Sequence, residues 1–170
     1  AHTDLLIERL GIDLCFGSWC THILADLPAP EHLIQVGIRS SGKPKSHWES
    51  TFGVKQHWAS EVKELGVEKV IENILAQLAE QNIDELYVSF DIDAIDDSYA
   101  SATGTPEPDG LMPTEAMQIL RAIAANYRIT GADMMEIAPF TDSSGQGAVS
   151  RDKTLQVASE ISAFLLDEMS

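Results

Sequence analysis

Short apolar runs bounded by turn residues alternate with longer amphipathic segments along most of the 170 residues. That alternation confines the chain to a βα-repeating architecture, because a buried strand and a one-faced helix each need a partner to cover their apolar sides. "HLIQVGIR" (32–39) predicts a buried strand and "GVKQHW" (53–58) a shorter one. In "GVEKVIENILAQLAEQN", Val67, Val70, Ile71, Ile74, Leu75 and Leu78 recur at helical spacing with charges opposite, the pattern of a surface helix over a sheet. "ELYVSFD" (85–91) predicts the next strand, "PTEAMQILRAIAANY" (113–127) a helix opened by Pro113, and "ITGADMMEI" (129–137) another strand. A closing helix is expected from about Ser150 to Glu168, with loops at "SSGKPKS" (40–46) and "TDSSGQG" (141–147). The expected fold class is α/β: a mainly parallel sheet with helices on both faces, three α-β-α layers in one domain. Ligands of such sheets bind beyond the carboxyl ends of the strands.

Two acidic segments stand at that edge, "SFDIDAIDD" (89–97) and "MMEI" (134–137). Repulsion and desolvation oppose so many carboxylates behind a buried strand unless they are solvated or a cation lies among them. Asp91 and Asp93 are two apart, so in an extended strand both side chains point to one side. The competing expectation is an Asp-rich turn whose carboxylates cap a following helix. A calcium loop of the EF-hand kind is excluded, because its fifth, sixth and twelfth positions would be Ile95, Asp96 and Ala102. The opening "AHTD" adds His2 and Asp4, again two apart. Imidazole with carboxylate suits manganese, nickel or zinc better than calcium.

The charge bears on partners. Twenty-seven acidic against 11 basic side chains give a formal −16, which repels nucleic-acid phosphates and anionic lipid surfaces. The same field favours metal cations and cationic small molecules, and it also serves as a solubility device. No apolar run reaches the roughly 20 residues of a membrane span, and "AHTDLL" lacks the features of a signal peptide. A cytoplasmic location is expected, with Cys15 and Cys20 as reduced thiols.

"SFDIDAIDDSYASATGTPEPDGL" (89–111) resembles the signature of the ureohydrolases, the arginase and agmatinase superfamily that also includes formimidoylglutamase. "AHTD" resembles the end of that family's D-A-H-x-D metal motif and "DMMEIAP" (133–139) its D-x-x-E-x-N-P segment, with "LIQVGIR" and "ELGVEKVIE" in the matching order. The resemblance covers essentially the whole chain but only the C-terminal part of a family member. It implies that N-terminal strands of an arginase-like fold lie outside this sequence. Carried over position by position, it implies metal ligands at His2, Asp4, Asp91 and Asp93, with Asp91 bridging two ions, and Glu136 facing the guanidinium. The implied chemistry is hydrolysis of a linear guanidino or amidino C–N bond by a hydroxide bridging two ions about 3.5–4 Å apart, manganese being expected and nickel or zinc the alternatives. A trimer or hexamer of identical subunits is the implied assembly.

Several positions depart from the family pattern. The metal motif lacks its first Asp at the start of this sequence, as well as the upstream G-G-D-H segment. Phe16 stands where many arginases and agmatinases have a histidine proposed to shuttle protons, and phenylalanine carries none. Lys43 and Lys45 lie where arginases place acids, which would favour substrates with a carboxylate tail over those with an ammonium. Ala138 replaces an Asn beside Glu136, and Asp97 replaces a Pro. A catalytically silent paralogue that keeps its ligands for stability or as a partner subunit, and a plain metal-binding domain, are the alternatives to an enzyme.

Overall fold

The computed structural model describes residues 1–140 and 148–170, so the loop expected at 141–147 lies outside the described residues. In chain order the elements are α1 (Trp19–Ile23), β1 (Ile34–Ile38), α2 (Lys45–Phe52), β2 (Lys55–Trp58), α3 (Ala59–Leu65), α4 (Val67–Glu80), β3 (Glu85–Asp91), α5 (Pro113–Ala124), β4 (Arg128–Met135) and α6 (Ala148–Glu168). The strands and the three long helices lie where apolar periodicity predicts them. Helices α2 and α3 were not expected, and α2 begins inside the segment expected as a loop. Both are short and weakly patterned, and tertiary contacts hold them. Trp48 of α2 packs with Leu5, Cys20 and Val54, while Glu61 of α3 accepts the Trp58 N–H at 2.6 Å and Lys45 Nζ at 2.7 Å.

The strands pair in parallel, as two ladders. β1 pairs with β2, and β3 with β4, where Tyr87 meets Gly131, Ser89 meets Asp133 and Asp91 meets Met135. Segment 1–4 runs beside β1: the Ala1 nitrogen donates to Gly37 O (3.0 Å) and to Asp93 O (3.1 Å), and Arg39 N donates to Ala1 O (3.3 Å). Gly37 has φ +80° at a register shift in β1, a bulge that a side chain would strain; a Cβ there would also meet Leu111 at 3.0 Å.

The main core is built from helical stripes. Val67, Val70, Ile74 and Leu78 of α4, Ala116, Ile119 and Leu120 of α5, and Val157, Ala158, Ile161 and Leu165 of α6 close over Phe90, Ile92 and Ile129. Each large aliphatic side chain so buried contributes about 1.5–3 kcal/mol. β1 is covered on both faces: Ile34 and Val36 join this core, whereas Gln35 turns the other way to Cys20 of α1. That is the expected α-β-α layering. On β3 the helices cover one face, and Glu85, Tyr87 and Ser89 on the other are exposed. No described helix is long and apolar enough to cross a membrane.

Candidate metal centre

β3 ends at Asp91, and Ile92–Ala94 form a 3₁₀ turn. The turn, rather than the alternation of an extended strand, brings Asp93 to Asp91, a correction to the spacing argument. Asp91 Oδ1 accepts the Asp93 N–H at 2.9 Å, so the capping role weighed against metal binding is real. The two roles coexist, since the cap engages one oxygen of a carboxylate that can accept through both.

Asp93 is 1% exposed. Its Oδ2 lies 2.9 Å from His2 Nδ1 and accepts the Thr105 hydroxyl at 3.1 Å. Its Oδ1 lies 3.2 Å from the Ala1 amino nitrogen yet is a buried acceptor without a hydrogen bond. Donor atoms of His2, Asp91 and Asp93 all fall within 4.8 Å of one another. An unsatisfied carboxylate oxygen inside an imidazole–dicarboxylate cluster is what a divalent cation would complete, so these residues fit the metal that the sequence implies.

The charges agree. Burial, and then the negative charge of Asp93, push Asp91 up to about 8. Burial would raise Asp93 too, whereas the hydrogen bond from His2 and the positive charge of its ring act to lower it. The same hydrogen bond raises His2. Two charged carboxylates this close and this buried disfavour one another, and a bound cation would relieve both penalties.

The other two predicted residues stand beside this group. Asp4 has left-handed backbone (φ 49°), and its Oδ2 accepts the Trp19 indole N–H at 2.9 Å; burial raises its carboxyl. It is not among the three residues whose donor atoms converge. Glu136 is exposed and also left-handed (φ 63°), and its Oε2 would lie 3.2 Å from a Cβ at position 104, so Gly104 leaves the carboxylate its room. Left-handed backbone is uncommon outside glycine and collects at functional positions. Ala138 keeps its segment through an N–H donated to Ala102 O at 3.0 Å.

Some residues near the site were not singled out by sequence. Thr105 holds the Asp93 side chain through its hydroxyl. Ser89 and Tyr87 donate to Asp133 at 2.7 and 3.0 Å, tying β3 to β4 just before Asp91 and Glu136. Trp19 was hidden because nothing in its neighbourhood signals a partner 15 residues away. Lys45 corrects an expectation: its ammonium bonds both oxygens of Glu61, at 2.7 and 2.9 Å, and so is neutralised. Phe16 is 62% exposed, with the Arg9 guanidinium 4.7 Å above its ring.

The model of the Arginase family matches residues 1–166. The chain belongs to the arginase family. An agmatinase of Bacillus cereus is 32% identical over 154 residues, which are 90% of this chain and 50% of that protein. Arginase-1 of Oryctolagus cuniculus is 30% identical over 147 residues, 86% of this chain and 44% of that one. Among solved structures, proclavaminate amidino hydrolase from Streptomyces clavuligerus superposes with a TM-score of 0.79 at 31% identity, covering 99% of this chain and 53% of that one. This arginase-family chain thus has the arginase-like α/β fold and spans about half the length of the relatives it matches.

Proposed function

We propose that this arginase-family chain carries part of the active site of a metal-dependent hydrolase that cleaves a C–N bond of a small linear guanidino or amidino compound, releasing urea or formamide. The observation that carries the proposal is the convergence of His2, Asp91 and Asp93 around a buried, unsatisfied carboxylate oxygen. Divalent ions bound there, manganese by expectation, would supply a nucleophile from water at neutral pH. The chain's own residues would do the rest. His2, Asp91 and Asp93 would hold cations, and Asp4, on the same segment as His2, would join them through the oxygen that the Trp19 N–H leaves free. Glu136, negative and exposed beside Gly104, would pair with a guanidinium and stabilise its developing positive charge. Phe16 cannot move a proton, so that step would fall to another group; a silent paralogue is the second reading this residue favours.

With Lys45 neutralised, only Lys43 on that loop supports selection of a carboxylate tail. The whole protein is read as a cytoplasmic homo-oligomer, a trimer or hexamer. The test is a substrate panel on the full-length protein loaded with Mn2+, Ni2+ or Zn2+, comparing agmatine, arginine, 4-guanidinobutyrate and formimidoylglutamate by urea or formamide release. Turnover of at least one, lost in Glu136→Gln, is expected. A metal-loaded protein that turns over none of them would leave the silent paralogue standing.

A further inference from the structure

The two ligand segments, 1–4 and 91–93, are far apart in sequence, and what joins them is β1. From one face of that strand the buried Gln35 donates to Thr3 O at 2.6 Å, the carbonyl between His2 and Asp4. Gln35 is itself fixed by Gln56 Nε2, which donates to its Oε1 at 2.7 Å, and Trp58 Nε1 donates to Gln56 Oε1 at 2.9 Å. This head-to-tail chain leaves the Gln35 amide one orientation, with its NH₂ toward Thr3. One residue past β1, the Arg39 guanidinium donates, among the described residues, only to main-chain carbonyls: Asp93 O at 2.6 Å, Glu107 O at 2.7 Å and Pro108 O at 3.0 Å, with Ala94 and Ile95 farther off. A cation that meets no carboxylate among the described residues of so acidic a chain serves backbone geometry. It fixes the turn that carries Asp93 together with the segment just after Thr105, whose hydroxyl holds the Asp93 side chain.

We propose that Gln35 and Arg39 are positioning residues of the metal centre: one sets the His2–Asp4 segment, the other the Asp93 turn, and β1 between them sets the distance from His2 to Asp93. The inference rests on the metal-centre assignment for its functional meaning. Partners of this kind that orient metal ligands typically change metal affinity by about 10–100-fold when removed. A planar fork is needed at position 39, because an ammonium cannot span carbonyls on both sides of it.

The test uses the full-length protein and the variants Gln35→Met, Arg39→Lys and, as a core control, Val62→Ala. Co2+ affinity and its visible spectrum are measured by titration, and the His2 ring ¹⁵N shifts by NMR in metal-free protein. Expected are a loss of Co2+ affinity of about 10–100-fold with a changed spectrum, and displaced His2 shifts, in Gln35→Met and Arg39→Lys but not in Val62→Ala. A merely structural role moves all three alike, in proportion to lost stability, and that result overturns the proposal. So do unchanged affinity and shifts in both site variants. If the parent full-length protein takes up no Co2+, the metal assignment falls, and the ring shifts alone decide positioning: displaced in the two site variants only, it stands; undisplaced, it fails.

Discussion

At the scale of single residues, the acids of one short stretch differ by what surrounds them. Asp93 is enclosed by His2, Thr105 and the Ala1 nitrogen, and Asp91 lies against it. Asp96 is occupied otherwise: it accepts from Ser98 N, Ser98 Oγ and Gly110 N, a turn lock whose hydrogen bonds overcome burial and lower its pKa. Asp91→Asn is therefore expected to abolish stoichiometric metal in the complete protein, and Asp96→Asn to leave it nearly intact while loosening the turn. Metal analysis of the dialysed variants checks this; equal loss in both would remove the distinction. Gly104→Val is a second expected outcome. Its branched side chain would press on the Glu136 carboxylate, so kcat should fall by an order of magnitude or more, about 1.4 kcal/mol per tenfold, while metal content is unchanged.

At the scale of elements, stripes and caps explain which segments hold. Ile161 of α6 and Ile74 of α4 are almost wholly buried in the core over β3. Ile161→Ala is expected to destabilise by about 2–5 kcal/mol, read as a lower denaturant midpoint. β2 contributes a pH dependence. His57 is buried, bonds Gln77 of α4 at 2.9 Å, and burial lowers its pKa. Below its unfolded pKa of about 6.5, the unfolded chain binds the proton more readily than the folded one, so stability present above that pH is lost as pH falls toward the folded pKa. A midpoint compared at pH 7.5 and 5.5 should fall more in the parent chain than in His57→Gln. An equal fall in both would assign the loss to other groups.

At the scale of the molecule, two surfaces remain uncovered among the described residues. One is the face of β3 and β4 where Tyr87 is 64% exposed. The other is the segment from Ile7 to Phe16, in which Leu10 is 95% exposed and Ile12 and Leu14 are also open. Apolar surface of this kind drives association, whereas a formal charge of −16 opposes it. Salt screens the repulsion more than the apolar attraction. Sedimentation velocity of the 170-residue chain should therefore show self-association that grows with ionic strength, reduced by Leu10→Asp with Ile12→Asp. Association that weakens with salt would point to paired charges instead.

Sequence alone determined what depends on local repetition and on short motifs. The periods of Val67–Leu78 and of "ELYVSFD" made a helix and a strand legible, because burial on one side imposes the spacing directly. The motif likewise singled out Asp91 and Asp93, whose donor atoms converge with those of His2. Tertiary structure decided what depends on distance through space. It decided that the Asp91–Asp93 pair closes through a 3₁₀ turn, that Lys45 is neutralised by Glu61, and that Asp4 faces Trp19. It also decided that Gln35 and Arg39, ordinary members of a strand segment by pattern, spend their donors on carbonyls 32 and 54 residues away. A hydrogen bond between distant residues leaves no period in the chain, so only the fold reveals it.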